Sequence, residues 1–216
     1  MVSTKIDAFH TCHLQGSIST ILEKVPYHSN ANEEQWLGQG YYFWTDSHFF
    51  ATKWGERKDK YPNGYVITKF TIEIPAADLL DLVGNVSHQL EFEKQIRAYL
   101  ARMGKELTYE TARSIPVSKM LDHLREQAKI EIQAGNDFFT YSAIKAADMA
   151  KCTLKYPYLE GERDGFQHHL YLPTRQQLFI SKCYGSYLGN KELFHIRRLA
   201  SNGKGYQTIP LPNMRK

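Results

Sequence analysis

The run Leu37-Gly38-Gln39-Gly40-Tyr41-Tyr42-Phe43-Trp44-Thr45-Asp46, followed by Ala51 and Trp54, carries the residue types best suited to holding a ligand. Glycines let a backbone approach a ligand closely, and consecutive aromatic residues on a strand offer flat side chains on both of its faces. That combination suits gripping an aromatic ring such as a nicotinamide or a base. Asp46 and Ser47 suit the cap of a helix that begins near His48. His10, between Phe9 and Thr11 at the end of the first predicted strand, sits where a side chain can point out of a sheet into a cleft. Taken alone, Tyr41, Phe43, Phe49 and Phe50 are equally the material of a core.

Other chemistries find little support. In His10-Thr11-Cys12-His13, strand alternation sends neighbouring ligands to opposite faces, and His168-His169 is adjacent rather than spaced for a shared ion. Cys12, Cys152 and Cys183 form no Cys-x-x-Cys pair, which fits a reducing compartment and argues against a disulfide framework or a thiolate zinc site; no metal is expected. A Gly-x-Ser-x-Gly elbow and a Gly-x-x-x-x-Gly-Lys phosphate loop are both absent. No apolar run approaches the roughly 18 residues that cross a bilayer, and the first residues lack the apolar core of a secretion signal. The sequence therefore reads as a cytoplasmic protein with no membrane partner.

The elements that must position these residues are legible in outline. The 216 residues, 42% of them hydrophobic, fit one domain over 1–216. Ile6 to His10 reads as a strand, and Ser17 or Ser19 caps a short helix that closes before Pro26. Residues 28–36 are polar and turn-rich, a loop able to fold over a ligand. From Gly64, the residues Val66, Thr68, Phe70, Ile72 and Ile74 alternate with Lys69, Thr71 and Glu73, the period of a half-buried strand that Pro75 ends. Leu90, Ile96, Tyr99, Leu100 and Met103 recur at helical spacing until Gly104. Met120, Leu121, Leu124, Ala128 and Ile132 do the same until Gly135. Tyr141 to Lys151 is open between helix and strand, and Leu170 to Leu172 and Leu178 to Ile180 are strand pieces flanking Pro173. This order predicts an α+β fold with mainly antiparallel sheet and a helical insertion at about 86–150.

Taken together, His10, then Gly38-x-Gly40-Tyr41-Tyr42-Phe43, then Ala51-x-x-Trp54, then a late strand near Gln177 resemble the ADP-ribosyltransferase superfamily. The branch is the histidine-tyrosine-glutamate one, which includes diphtheria toxin and the poly(ADP-ribose) polymerases. Phe9-His10-Thr11 is similar to its first motif, and Gly38-Gln39-Gly40-Tyr41-Tyr42-Phe43 to its second. Ala51 and Trp54 match the small residue and second aromatic with one residue inserted after Phe43. Gln177-Leu178-Phe179-Ile180 is the best match to the third, with Gln176 and Glu160 as alternatives. The likeness is closest over residues 9–54 and looks most like small bacterial members, some of which act as toxins in toxin-antitoxin or anti-phage systems.

The resemblance implies split antiparallel sheets around an NAD+ cleft, with NAD+ as co-substrate. His10 would bond a ribose hydroxyl of the adenosine half, and the Thr11 backbone the nicotinamide carboxamide. Tyr42 and Trp54 would sandwich the nicotinamide, with Phe43 alongside and Gly40 and Ala51 leaving room. Gln177 would hold the 2′-hydroxyl of the nicotinamide ribose. Thr11 stands where the family has glycine, and Gln177 where it has glutamate. An amide cannot take a proton at neutral pH, which implies single transfer rather than chain elongation. The resemblance implies a macromolecular acceptor. The net charge of +4, the basic residues after Lys191 and the 13% aromatic content lean towards nucleic acid over protein. A neutralising antitoxin would be a partner. The rival readings are a catalytically silent NAD- or ADP-ribose-binding module and an RNA 2′-phosphotransferase, which would need an arginine pocket such as Arg163, Arg175 and Arg197.

Overall fold

The computed structural model describes residues 2–30, 35–148, 154–157, 169–182 and 185–211. Cys152, Glu160, Arg163, His168 and Cys183 lie outside them. The strands are β1 (Ser3–His13), β2 (Tyr41–Thr45), β3 (Tyr65–Pro75), β4 (Leu79–Asp81), β5 (Ala143–Asp148), β6 (Leu154–Pro157), β7 (His169–Leu172), β8 (Arg175–Ile180), β9 (Leu188–Leu199) and β10 (Tyr206–Thr208). The helices are α1 (Ile18–Lys24), α2 (Phe49–Gly55), α3 (Val86–Arg102), α4 (Tyr109–Ser114) and α5 (Val117–Gln133). The fold is α+β: eight strands form one open sheet in the order β10-β9-β3-β1-β2-β8-β5-β4, and β6 pairs with β7 apart from it. Every pairing is antiparallel except β4 with β5.

That parallel pair explains the helical insertion. Parallel neighbours need a crossover of a dozen or more residues, and the chain from Asp81 through α3, α4 and α5 to Ala143 supplies it. The insertion therefore ends with α5 at Gln133, and Ala143–Asp148, left open by the sequence, is a strand of the main sheet. Leu121, Leu124 and Ala128 of α5 and Phe92 of α3 bury against Leu80, Ile144, Ala146 and Phe179 of the sheet. The apolar stripes are narrower than their spacing suggests, because Leu90, Met103 and Ile132 face solvent.

β3 keeps the predicted alternation. Val66, Phe70, Ile72 and Ile74 pack with Ile6, Ala8, Phe43 and Leu178 on one face, where Ile21 of α1 covers them. On the other face Tyr65 and Ile67 are also buried, because α2 lies over them with Phe9, Trp44 and Ala51. Ser17 caps α1 by accepting from the Thr20 N–H at 3.1 Å. At α2 only half of the expected cap forms: Ser47 Oγ accepts from the Phe49 N–H at 3.2 Å, while Asp46 has φ +65 and pairs instead with Lys145 at 3.6 Å. Of the basic residues from Lys191 onward, Lys191, Arg197 and Arg198 belong to β9, Lys191 donates to the Leu22 and Val25 carbonyls, and Arg215 and Lys216 lie outside the described residues. Among the described residues no helix is long and apolar enough to cross a membrane.

Candidate functional site

β1 and β2 are paired only through Ala8 with Thr45 and Phe9 with Trp44. Beyond Phe9, β1 stays with β3 as far as His13, while β2 stays with β8 as far as Tyr41, so the sheet divides into two wings. A cavity of about 900 Å³ opens at the division, lined by His10, Thr11, Tyr42, Trp54 and Gln177 among others. Alternation assigns Thr11, Tyr42, Trp44 and Gln177 to the face that carries α2, and His10 to the opposite face. The division lets both faces open into one space.

His10 stands at the fork. Its Nδ1 lies 3.0 Å from the Tyr42 carbonyl, in the place of the lost ladder bond, and its Nε2 accepts from the Tyr27 N–H at 3.2 Å. A carbonyl only accepts and a backbone N–H only donates, so the ring is the neutral tautomer protonated at Nδ1. Burial pushes its pKa below the usual imidazole value, opposed by the weaker pull of the Tyr42 carbonyl.

Tyr42 is held from the loop before it. Its hydroxyl donates to the Gly38 carbonyl at 2.7 Å and accepts from the Leu37 N–H at 3.1 Å, while its ring meets Phe179 edge-on at 5.2 Å. Burial raises its phenol pKa to about 12, against the opposing Leu37 N–H and the Arg125 charge. Arg125 of α5 fixes that loop by donating to the Leu37 carbonyl at 3.2 Å, with its guanidinium 4.9 Å over the Phe179 ring. Gly38 has φ +94, and a Cβ there would lie 2.7 Å from Arg125 Nη1. The helical crossover thus reaches the aromatic strand through one arginine.

Three expected residues do not line the cavity. A Cβ on Gly40 would lie 2.5 Å from the Ile180 carbonyl and 2.5 Å from the Phe179 ring, so this glycine lets β2 close on β8 and makes no room for a ligand. Phe43 is fully buried on the opposite face, its ring 5.4 Å from Phe70. Ala51 is buried beneath α2, and its carbonyl accepts from Thr11 Oγ1 at 2.9 Å. The threonine that replaces the family's glycine therefore ties β1 to α2.

Gln177 is the third residue of β8, not its first. Its Oε1 accepts from Trp36 Nε1 at 2.8 Å. An indole only donates, which fixes the amide orientation and leaves Nε2 with two donors. Gln176 points to the other face and donates to Thr174 Oγ1 at 2.7 Å. Two positions before Gln177 on the same face, Arg175 pairs with Asp148 at 3.4 Å and lies 5.2 and 5.7 Å over the Trp44 and Trp54 rings. Arg57 and Lys60 lie 4.8 and 4.9 Å over the Trp54 ring. Sequence reasoning missed Trp36, Tyr27, Arg57, Lys60 and Arg125 as parts of the site. Only Trp36, an aromatic directly before the glycine run, gave any local signal.

Among the described residues no group of three His, Cys, Asp or Glu side chains could hold a metal ion. Comparison of the chain with protein-family models, with curated proteins and with solved structures finds no match.

Proposed function

We propose that the chain is a mono-ADP-ribosyltransferase that moves ADP-ribose from NAD+ to a macromolecular acceptor, on an ADP-ribosyltransferase-like fold whose two wings flank the dinucleotide. The observation that carries this reading is the convergence of His10, Tyr42, Trp54 and Gln177, from three strands and a helix, on one cavity of about 900 Å³. That volume lies within the roughly 300–1,000 Å³ of small-molecule and cofactor sites.

In this reading His10 Nε2 accepts a ribose hydroxyl of the adenosine half in exchange for the Tyr27 N–H. Tyr42 and Trp54 hold the nicotinamide ring, each stacking contact contributing about 1–3 kcal/mol by analogy with bases. Gln177 donates from Nε2 to the 2′-hydroxyl oxygen of the nicotinamide ribose. The C1′–N bond breaks with its electron pair moving to the ring nitrogen, so the cationic pyridinium leaves as neutral nicotinamide. A lone pair on an acceptor oxygen or nitrogen forms the new bond to C1′, and the acceptor's proton goes to water. The sugar passes through an oxocarbenium-like state, as in glycoside hydrolysis, and catalysis is positioning and electrostatics.

A second reading, a silent NAD+- or ADP-ribose-binding module, is favoured by one observation: the Gln177 carbonyl is held by Trp36 and the residue carries no base. One experiment separates the two. Purified protein is mixed with NAD+ labelled in its adenylate half and with separate pools of RNA, DNA and lysate protein, and nicotinamide release is followed alongside. Label on a macromolecule, abolished by His10→Ala and Tyr42→Ala in folded protein, is expected. A rise in melting temperature with NAD+ and no release above buffer leaves the binding module. Neither response refutes both.

A further inference from the structure

We propose that α2 and the cavity mouth beside it bind a single strand of nucleic acid, which is the acceptor of the reaction above. The proposal rests on that reading for the transfer, but not for the binding. Along α2, aromatic rings alternate with cations. Phe49 is 45% exposed and has Lys53 6.0 Å over its ring; Trp54 follows, with Arg57, Lys60 and Arg175 at 4.8, 4.9 and 5.7 Å. Phe49 and Trp54 are about 7.5 Å apart along the helix and about 140° apart around it, and Lys53, which reaches over the Phe49 ring, also lines the cavity, so a strand stacked on Phe49 passes beside the nicotinamide held at Trp54.

Flat rings beside cations are the pattern that holds unpaired nucleotides: bases stack on the rings, and phosphates take the charges. Glu56 and Asp59 offset part of the charge by pairing with Lys53 at 3.3 Å and Arg57 at 2.9 Å. Of the charges in residues 53–60, Lys53, Arg57, Lys58 and Lys60 outnumber Glu56 and Asp59 by 4 − 2 = 2. An acidic peptide would use the cations and leave the exposed Phe49 without a partner, whereas a nucleotide uses both. A base paired within a duplex cannot enter a concave site without leaving its stack, which favours a single strand.

The test is anisotropy of labelled 12-nucleotide dT and U strands and a 12-base-pair duplex, without NAD+. Single strands are expected to bind better than duplex, with a log–log salt slope of about −2 to −3 for three or four phosphates neutralised. The variant Phe49→Ala, at an exposed position outside the cavity lining, should weaken strand binding about tenfold. It should leave the melting temperature and the NAD+-dependent release of nicotinamide to water unchanged. Equal binding of strand and duplex, an unaffected Phe49→Ala variant, or no strand binding at 50 mM salt overturns the proposal. Label found on lysate protein while strands fail to bind removes the nucleic-acid acceptor and leaves the transferase. Strand binding without any nicotinamide release keeps the binding surface and removes the transferase.

Discussion

Replacing Gly40 with alanine separates two meanings of the glycine pair. If the glycine made room for a ligand, the substitution would cost binding and leave the fold alone. The structure requires the reverse. The new Cβ would lie 2.5 Å from the Ile180 carbonyl and from Cε2 of Phe179, and 2.8 Å from Cζ of that ring. Carbon contacts relax at about 3.5–4.0 Å, so β2 must retreat from β8 by about 1 Å. The carbonyl is main chain and cannot swing aside. The retreat falls on the pairs Tyr41 with Ile180 and Tyr42 with Phe179, of which Tyr42 lines the cavity. Overpacking of this kind costs about 2–3 kcal/mol, and the stiffer unfolded chain of alanine returns about 0.4–1. A net loss of about 1–2.5 kcal/mol corresponds to a melting temperature lower by about 2–10 °C in a chain of this length. The assay is a thermal melt without ligand. Gly205→Ala serves as control, because no described atom lies within 4 Å of its Cβ position and its φ is not positive. A Gly40→Ala protein that melts with the wild type but no longer responds to NAD+ would refute the packing argument.

The remaining predictions concern the groups around the cavity. His10 has its pKa lowered by burial, so it stays neutral in the fold while the unfolded chain takes a proton below about pH 6.5. Stability is therefore full above that pH and falls as pH drops towards the folded pKa, by at most about 1.4 kcal/mol per unit for this residue. Urea midpoints from pH 7.5 to 5 should fall less steeply in His10→Gln than in the wild type, and parallel curves would count against the buried neutral ring. Arg125→Met leaves the Leu37 carbonyl without its donor, at a cost of about 1–3 kcal/mol, and should shrink the rise in melting temperature with NAD+. Arg125→Lys should not rescue it, because an ammonium lacks the planar fork that covers Phe179. Gln177→Glu supplies a carboxylate that Trp36 can still hold, and should raise nicotinamide release about tenfold or more if proton transfer limits it. Unchanged or lower release would show that the amide is already the working group.

Local pattern was legible wherever a short-range rule governed it. Alternation from Val66 to Ile74 identified β3, and Ser17 marked the start of α1. The parallel pairing of β4 with β5 was not legible, because β4 is three residues long and its partner lies beyond three helices. The same distance hid the site's inner contacts. His10, Tyr42 and Trp54 stood out by type and order, but the Tyr27 N–H on His10 and Arg125 on Leu37 are tertiary contacts with no sequence spacing to reveal them. The glycine run was read as a place where a ligand comes close; the group beside Gly40 is β8, and the group beside Gly38 is the Arg125 guanidinium. The basic residues after Lys191 gave no sign that Lys191, Arg197 and Arg198 share one strand, because β9 pairs with β3, more than a hundred residues earlier.

Of the polar side-chain groups assigned to the dinucleotide, His10 Nε2 is already occupied by the chain, while Gln177 Nε2 keeps both of its donors. Tyr27 donates to His10, Leu37 and Gly38 hold the Tyr42 hydroxyl, and Trp36 donates to Gln177. Exchanging the Tyr27 N–H for a ribose hydroxyl replaces one neutral hydrogen bond by another, and the net gain of such an exchange is small. Affinity must then come from what is gained outright: stacking on Tyr42 and Trp54, and phosphate charge near Arg57, Lys60 and Arg175. The polar groups supply direction instead. His10 is locked by two main-chain partners, and the Gln177 amide is turned by an indole that can only donate. In the proposed reaction such a site would fix the sugar's orientation before the bond to nicotinamide loosens, the step at which rate, rather than binding, is decided.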